Sequence, residues 1–132
     1  MLIGRATTLA AIALLASPVS ARPAGCDALD GAAIIAEDGT YLGKIADEYD
    51  QKSIFNKYGT YGNPYAPKSI WNDYGQYGSE YSNKSARSEY TSTPPKIIVS
   101  GKVVGFLSRN KYKSGSIDPL ILGVACYGYE PD

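Results

Sequence analysis

A sixteen-residue segment recurs through the middle of this chain and constrains its fold more than any other feature. The first copy runs from Tyr49 to Gly62 and contains Ser-Ile-Phe-Asn, followed by Tyr-Gly-Thr-Tyr-Gly. The second runs from Tyr65 to Gly78, with Ser-Ile-Trp-Asn and Tyr-Gly-Gln-Tyr-Gly in the same register. A degenerate third copy begins at Tyr81 and keeps its serine and one further tyrosine. A constant period indicates one small structural unit used several times. Like groups at regular intervals favour a scaffold or binding surface over a catalytic site.

The first 21 residues have the features of a secretory signal peptide. Arg5 precedes an apolar run that ends at Ala16, Pro18 breaks it, and Val19-Ser20-Ala21 forms a small-residue cleavage site. The apolar run is shorter than the roughly 20 residues that span a bilayer. We therefore expect cleavage after Ala21 and an exported mature domain comprising residues 22–132, in the periplasm or outside the cell. An uncleaved anchor is the alternative.

The chain contains two cysteines, Cys26 and Cys126, which lie near the two ends of the predicted mature domain. Exported chains meet oxidising conditions, so these cysteines are expected to form a disulfide. Closing so long a loop contributes about 4–5 kcal/mol by the chain-entropy estimate. Two unpaired buried thiols are the alternative.

Two similar segments flank the copies and predict two related β-hairpins, at residues 32–46 and 96–108. Asp38-Gly39 and Ser100-Gly101 are tight-turn dipeptides between β-branched runs. A glycine follows inside the second strand of each hairpin, at 43 and 105, where glycine often marks a bulge or a close backbone approach. The fold class expected is mainly β, with both hairpins in one small sheet or barrel and an irregular Tyr/Gly-rich repeat block packed on it.

The repeat block, residues 49–93, is dominated by turn-forming residues. Ser53 and Ser69 stand where helix N-caps would, and Gly59 and Gly75 where left-handed helix ends would. The spacing predicts one or two helical turns in each copy. A disordered Tyr/Gly/Ser tract is the alternative. The apolar stretch 119–127 is expected to be a buried strand, and a short helix opened by Asp118-Pro119 is the alternative.

The copies resemble a group of uncharacterised bacterial hypothetical proteins with tandem S-I-x-N-x-Y-G-x-Y-G-S segments. The matching stretches are Ser53 to Gly62 and Ser69 to Ser79. They are followed, as in that group, by Pro-Pro-x-Ile at 94–97 and a Gly-x-x-x-Gly-x-Leu segment at 101–107. The resemblance covers roughly residues 38–117 and implies no catalytic residue, since no activity is attached to the group.

The composition of the chain argues against several classes of function. The formal net charge is +0, with 13 basic and 13 acidic residues and no strongly basic stripe, so nucleic acid is not an expected partner. Histidine is absent, which removes histidine-dependent nucleophile pairs and most zinc sites. No cofactor, metal or catalytic residue is predicted. A carboxylate-dependent hydrolase is the alternative, and the only acidic cluster is Asp47-Glu48-Tyr49-Asp50.

The candidate binding residues are in the second copy: Trp71, Asn72, Tyr74 and Tyr77. Tyrosine and tryptophan offer flat apolar faces that stack on sugar rings as readily as they fill a core. In the binding hypothesis Trp71 and the tyrosines form an exposed platform for a glycan or another envelope polymer, and Asn72 supplies hydrogen bonds. In the structural hypothesis the same rings pack into the core.

Overall fold

The computed structural model describes residues 22–131 and contains one open, five-stranded mixed sheet. Helix α1 comes first and is followed by two pairs of strands, a short strand and a C-terminal helix. The bounds are α1 Gly25–Leu29, β1 Ala33–Ile35, β2 Tyr41–Lys44, β3 Lys96–Val99, β4 Lys102–Leu107, β5 Ser116–Ile117 and α2 Pro119–Tyr127. The strand order is β2-β1-β3-β4-β5. The predicted signal peptide lies outside the described residues.

The two predicted hairpins are present and lie side by side in this sheet. β1 pairs with β2 and β3 pairs with β4, both antiparallel, and β1 and β3 join the hairpins. Ser100 and Gly101 both have positive φ (51° and 78°), the geometry that a two-residue hairpin turn requires. The sheet does not close into a barrel.

The glycines at 43 and 105 allow another segment to approach the second strand of each hairpin. A Cβ at Gly43 would lie 2.8 Å from the Lys52 carbonyl oxygen, and one at Gly105 would lie 2.9 Å from that of Gly115. Those two carbonyls accept hydrogen bonds of 2.9 Å from the amides that follow the glycines. Of the two alternatives expected, a bulge or a close backbone approach, the close approach is present at both glycines, and the strand pairing also shifts register beside each.

The C-terminal segment is a helix, so the strand predicted at 119–127 is wrong and the helical alternative is correct. The Asp118 carboxylate caps α2 by accepting hydrogen bonds from the amides of Leu120 and Ile121, and Pro119 occupies the first turn. Gly128 ends the helix in the left-handed conformation. These two end signals outweigh the strand preference of the apolar run between them.

The disulfide Cys26–Cys126 links α1 to α2, as predicted, with the two Cα atoms 5.5 Å apart and the residues 100 apart in sequence. Gly123 of α2 lies against the ring of Phe55, because a Cβ there would be 2.5 Å from a ring carbon. The bond holds α2 to α1, and the contact with Phe55 packs α2 against the first copy.

Residues 46–95 contain no helix and no named strand, so the helical turns predicted there are absent. Main-chain hydrogen bonds instead close a turn every three residues: 47–50, 50–53, 53–56, 56–59 and 59–62, and then again from 63 onward. Gly59 and Gly75 do not have positive φ, so the left-handed geometry expected of them is also wrong. Five such turns and one additional residue make up the sixteen-residue period.

The serine of each copy and the residue after it are buried alike in all three copies. Ser53, Ser69 and Ser85 are 0 % exposed. The residues after them, Ile54, Ile70 and Ala86, are also 0 % exposed. They share one hydrophobic cluster with the strand residues Ile34, Leu42, Ile97 and Leu107.

Candidate functional site

Seven tyrosines extend almost completely into solvent. Each is between 80 % and 95 % exposed: Tyr49, Tyr58, Tyr65, Tyr74, Tyr81, Tyr90 and Tyr112. Tyrosine in a folded domain ordinarily has intermediate burial, and large exposed apolar surfaces usually mark interaction sites. We call these seven residues the tyrosine array.

The same local turn fixes the backbone at every tyrosine of the array. The residue two positions earlier is an Asp, Asn or Ser, and its side-chain oxygen accepts a hydrogen bond from the tyrosine amide at 3.0–3.4 Å or, at Tyr65, 2.9 Å. This is the Asx or Ser turn, which fixes the backbone without help from distant residues. The capping residues, in chain order, are Asp47, Asn56, Asn63, Asn72, Ser79, Ser88 and Asn110.

The same turn, shifted by three residues, points side chains inward. The Ser53 hydroxyl accepts a hydrogen bond from the amide of Phe55 at 2.9 Å. The Ser69 hydroxyl accepts one from the amide of Trp71 at 3.1 Å. Both serines are buried, so the residues two positions later enter the core side of the block. The turns of the first two copies therefore present rings both to the core and to solvent.

Shallow grooves between the exposed rings connect the array into a continuous belt. Tyr74 and Tyr81 line one groove, Tyr81 and Tyr90 the next, and Tyr90 and Tyr112 a third. Arg109 lines all three. Consecutive grooves share a tyrosine, so an extended ligand could pass from one ring to the next.

The other three tyrosines of the array continue the same belt. Tyr49 and Tyr58 line a groove of about 420 Å³, which shares Lys57 and Tyr129 with the groove beside Tyr65. That groove in turn shares Asp73 and Arg87 with the one between Tyr74 and Tyr81. We call the seven tyrosines with these five grooves the tyrosine belt.

The arginines of the belt are paired with carboxylates on the belt itself. Arg87 forms an ion pair with Asp73, and Arg109 lies 3.3 Å from Glu89. Arg87 also donates to the main-chain carbonyls of Gly78 and Trp71, at 2.9 Å and 3.2 Å. Acidic and basic side chains alternate along the grooves, so no single sign of charge dominates.

The four residues predicted to form a platform are not brought together on one exposed face. Trp71 is half-buried, its ring is stacked 5.0 Å from that of Tyr129, and its indole nitrogen donates to the Ile54 carbonyl. Tyr77 is 5 % exposed. Tyr74, at 94 % exposed, alone presents its ring to solvent.

The side chain of Asn72 forms hydrogen bonds to the turns around it. Its Nδ2 donates to the Ala66 carbonyl at 3.0 Å, and its Oδ1 accepts the amide of Tyr74. Asn56 makes the matching pair of bonds in the first copy, to the carbonyl of Asp50 and from the amide of Tyr58. The asparagine therefore positions the exposed tyrosine of its copy.

Sequence reasoning missed six of the seven array tyrosines because it looked for a platform within one copy. The signal that would have found them is the spacing Asp/Asn/Ser-x-Tyr, which precedes every exposed tyrosine of the array. The inward rings at 55 and 71 follow buried serines instead. Tyr61 and Tyr77, which lack an Asp, Asn or Ser two positions earlier, are half-buried and buried.

Asp38, in the turn of the first hairpin, connects this hairpin to the second and third copies. Its carboxylate accepts hydrogen bonds from the Thr40 amide and hydroxyl and, at 2.8 Å, from the Tyr77 hydroxyl, and Lys84 lies 3.3 Å away. These donors hold the pKa of Asp38 well below its usual range, with the Thr40 amide the largest cause. The hydroxyl of Tyr77 is therefore committed to the fold.

Two array tyrosines carry a hydrogen bond to the glutamate before them. Glu48 beside Tyr49, and Glu80 beside Tyr81, accept from the phenol and raise the pKa of each tyrosine above its ordinary value. These phenols remain protonated at neutral pH.

Two glutamates, Glu80 and Glu89, line the groove between Tyr81 and Tyr90. Glu89 is exposed and pairs with Arg109, whereas a glycosidase acid is characteristically held in apolar surroundings.

Within residues 22–131 no three Asp, Glu, Cys or His side chains are grouped so as to hold a metal ion. In the same part of the chain no helix is long and apolar enough to cross a bilayer.

Comparison with known proteins adds no relative: models of protein families, curated proteins and solved structures all lack a match to this chain.

Proposed function

We propose that this protein is a non-enzymatic module that binds an extended, uncharged polymer, such as a glycan of the cell envelope, along the tyrosine belt. The observation that supports it is the array itself: seven rings, each at least 80 % exposed, held by the same local turn and joined by grooves. Six of the seven rings are displayed by the sixteen-residue copies, and Tyr112 lies between β4 and β5.

The geometry favours a polymer over a small ligand. Small-molecule pockets enclose most of their ligand, but these grooves are shallow, and each is bordered by only one or two array rings. A single sugar on one tyrosine would bind weakly. A chain that engages several rings gains from every contact, because each later contact is made at high effective concentration.

The backbone beneath each ring is fixed before a ligand arrives. Each array tyrosine has its amide bonded to the preceding Asp, Asn or Ser, and Asn56 and Asn72 anchor those turns a second time. Pre-organised aromatic groups lose little entropy on binding, which is why they dominate many recognition surfaces.

The charged side chains of the tyrosine belt favour an uncharged polymer as the ligand. Arg87 and Arg109 are each paired with a carboxylate, and Glu80 is a further negative group in the grooves. A polyanion would release few counterions on binding to such a surface, so it would gain little free energy from their release. It would also be repelled by the carboxylates. An uncharged polysaccharide meets flat rings flanked by hydrogen-bonding groups.

We further propose that the protein acts after export. The disulfide between α1 and α2 supports an oxidising compartment, in agreement with the signal peptide expected at residues 1–21.

The test is retention of residues 22–132 on insoluble neutral polysaccharides such as cellulose and chitin, and on isolated cell-wall sacculi, with uncoated beads as the blank. The test variant replaces four consecutive belt tyrosines by alanine: Tyr74→Ala, Tyr81→Ala, Tyr90→Ala and Tyr112→Ala. The control replaces the same four by phenylalanine, which keeps the stacking face.

We expect the wild type and the phenylalanine variant to be retained, and the alanine variant to be lost while its melting temperature stays unchanged. Retention of the folded alanine variant at the wild-type level, or no retention of the wild type on any of these polymers, would overturn the proposal.

The second candidate function is a carboxylate-dependent hydrolase, favoured by the presence of Glu80 and Glu89 in one groove between two tyrosines. Release of reducing sugar from the same polymers, abolished by Glu80→Gln or Glu89→Gln, would establish it. Binding without release would exclude it for those polymers.

A further inference from the structure

The tyrosine belt has a second chemical property, which does not depend on polymer binding. Its phenols are readily oxidised by one electron, and they are the most accessible groups of that kind on the molecule. The chain has no histidine and a single methionine, Met1, which belongs to the predicted signal peptide. Both cysteines are in the disulfide.

The other aromatic side chains of residues 22–131 are buried or only partly exposed. Trp71 is half-buried with its indole nitrogen bonded to a carbonyl, and Tyr129 is stacked on it. Tyr77 is buried, and Tyr41 and Tyr61 pack edge to face at 5.2 Å. An oxidant that cannot enter the protein therefore meets the array first.

Local chemistry favours loss of an electron from two members of the array. An oxidised phenol releases its proton at once, and a hydrogen-bonded base beside it receives that proton. The glutamates that accept from Tyr49 and Tyr81 are such bases.

We propose that the tyrosine array is a site of oxidative cross-linking, in which exposed tyrosines of different molecules are joined as dityrosine by a haem peroxidase and hydrogen peroxide. Each of two phenols loses one electron and one proton to give a phenoxyl radical. The radicals join by a carbon–carbon bond between ring positions ortho to the oxygens, and the displaced ring hydrogens return to those oxygens. Hydrogen peroxide takes up the two electrons and two protons and becomes two molecules of water.

Coupling between molecules is sterically open to every member of the array, alongside coupling within a molecule between two rings of one groove. The seven rings extend from separate turns, and the turn bonds restrain the backbone beneath each ring. A ring of a second molecule can approach freely, because at least four-fifths of each array tyrosine is exposed. Since each molecule carries more than two reactive rings, the products should extend to networks rather than stop at dimers.

The experiment treats purified protein, residues 22–132 with the disulfide intact, with a haem peroxidase and limiting hydrogen peroxide. Dityrosine fluorescence, denaturing electrophoresis and peptide mass mapping are the three readouts. The test variant replaces all seven array tyrosines by phenylalanine. The matched control replaces the packed pair, Tyr41→Phe and Tyr61→Phe, and leaves the array intact.

We expect wild type and control to give fluorescence and a ladder of species beyond the dimer, with cross-links mapped to array positions. The seven-phenylalanine variant should lose the ladder and most of the fluorescence. Products that remain monomeric, or cross-links confined to the packed tyrosines, would overturn the proposal.

The same variant separates this inference from polymer binding, because phenylalanine keeps the stacking face and loses only the phenol. A variant that cannot be cross-linked but is still retained on polysaccharide would show that the two properties are independent. Failure of cross-linking in the wild type would leave the polymer-binding result unaffected.

Discussion

The indole nitrogen of Trp71 donates a 2.6 Å hydrogen bond to the main-chain carbonyl of Ile54, seventeen residues earlier and in the preceding copy. Arg87, at the equivalent position of the third copy, donates in turn to the carbonyl of Trp71. The residue two places after each buried serine in the second and third copies therefore links its copy to the one before it. This bond gives Trp71 a structural role between two copies.

Replacing Trp71 by alanine should lower the free energy of unfolding, because it removes a stacked ring and leaves the Ile54 carbonyl without its donor. Removing a fully buried aromatic costs about 3–5 kcal/mol, and this half-buried ring should cost less. Trp71→Phe, the matched variant, keeps most of the ring and should lose about 1 kcal/mol for the missing bond. Urea denaturation measures both, and an unchanged midpoint for Trp71→Ala would contradict the assignment.

Ile54→Ala and Ile70→Ala should destabilise the protein by similar amounts, about 2–5 kcal/mol each, because both side chains are fully buried in the same cluster. Ile121→Ala is the matched control, since Ile121 is 67 % exposed on α2 and should change stability by less than about 0.5 kcal/mol. Denaturation midpoints that differ strongly between Ile54→Ala and Ile70→Ala would show that the copies do not have a common structural role.

Gly62 and Gly78 should not tolerate alanine. A Cβ at Gly62 would lie 2.0 Å from the Asn56 carbonyl oxygen, and one at Gly78 would lie 2.4 Å from that of Asn72. Both obstacles are backbone atoms, so the turns would have to open, at a cost of more than about 3 kcal/mol. Gly25→Ala, where nothing lies within 4 Å, is the control and should melt near the wild type. A wild-type melting temperature for Gly62→Ala would show that these turns can shift.

Acid should destabilise the protein, because the Asp38 carboxylate becomes protonated. The folded pKa of Asp38 is depressed below the unfolded value of about 3.9, so its contribution is present above that pH and is lost as pH falls through the folded value. Thermal melts below about pH 4 should therefore show a decline that Asp38→Asn reduces. Tyr77→Phe, which removes one donor to the carboxylate, should reduce it partly. An acid slope identical in all three proteins would exclude Asp38 as a source of the decline.

Reduction of the disulfide, or Cys126→Ser, should destabilise the domain. The bond closes a loop of 100 residues, for which the chain-entropy estimate is about 4–5 kcal/mol. Non-reducing peptide mass mapping would identify the bond, and melting with and without reductant would measure its effect. Two free thiols in protein purified from an oxidising compartment would contradict the structure.

The hairpins, the close approach at Gly43 and Gly105 and the Cys26–Cys126 bond could all be predicted from the sequence, because each depends on local turn chemistry or on cysteine number. The nature of residues 119–127 depended on how two local preferences balanced. The apolar run favours a strand, but Asp118-Pro119 and Gly128 satisfy the ends of a helix.

The sequence left open whether the rings of the copies face solvent or the core. Trp71 and Tyr77 are used in packing, whereas six exposed rings are spread over the three copies and the seventh, Tyr112, lies between β4 and β5. A tyrosine contributes the same apolar area to a core as to a surface, so its type alone does not decide its direction.

The sequence by itself determined the period and the position of each array tyrosine, two residues after an Asp, Asn or Ser whose side chain closes a turn. These are local relations, set by hydrogen bonds over two or three residues. Only the tertiary structure decided which turns face the sheet and which face solvent. That choice depends on which serines and isoleucines are buried against the hairpins, and burial is a property of the whole packed chain.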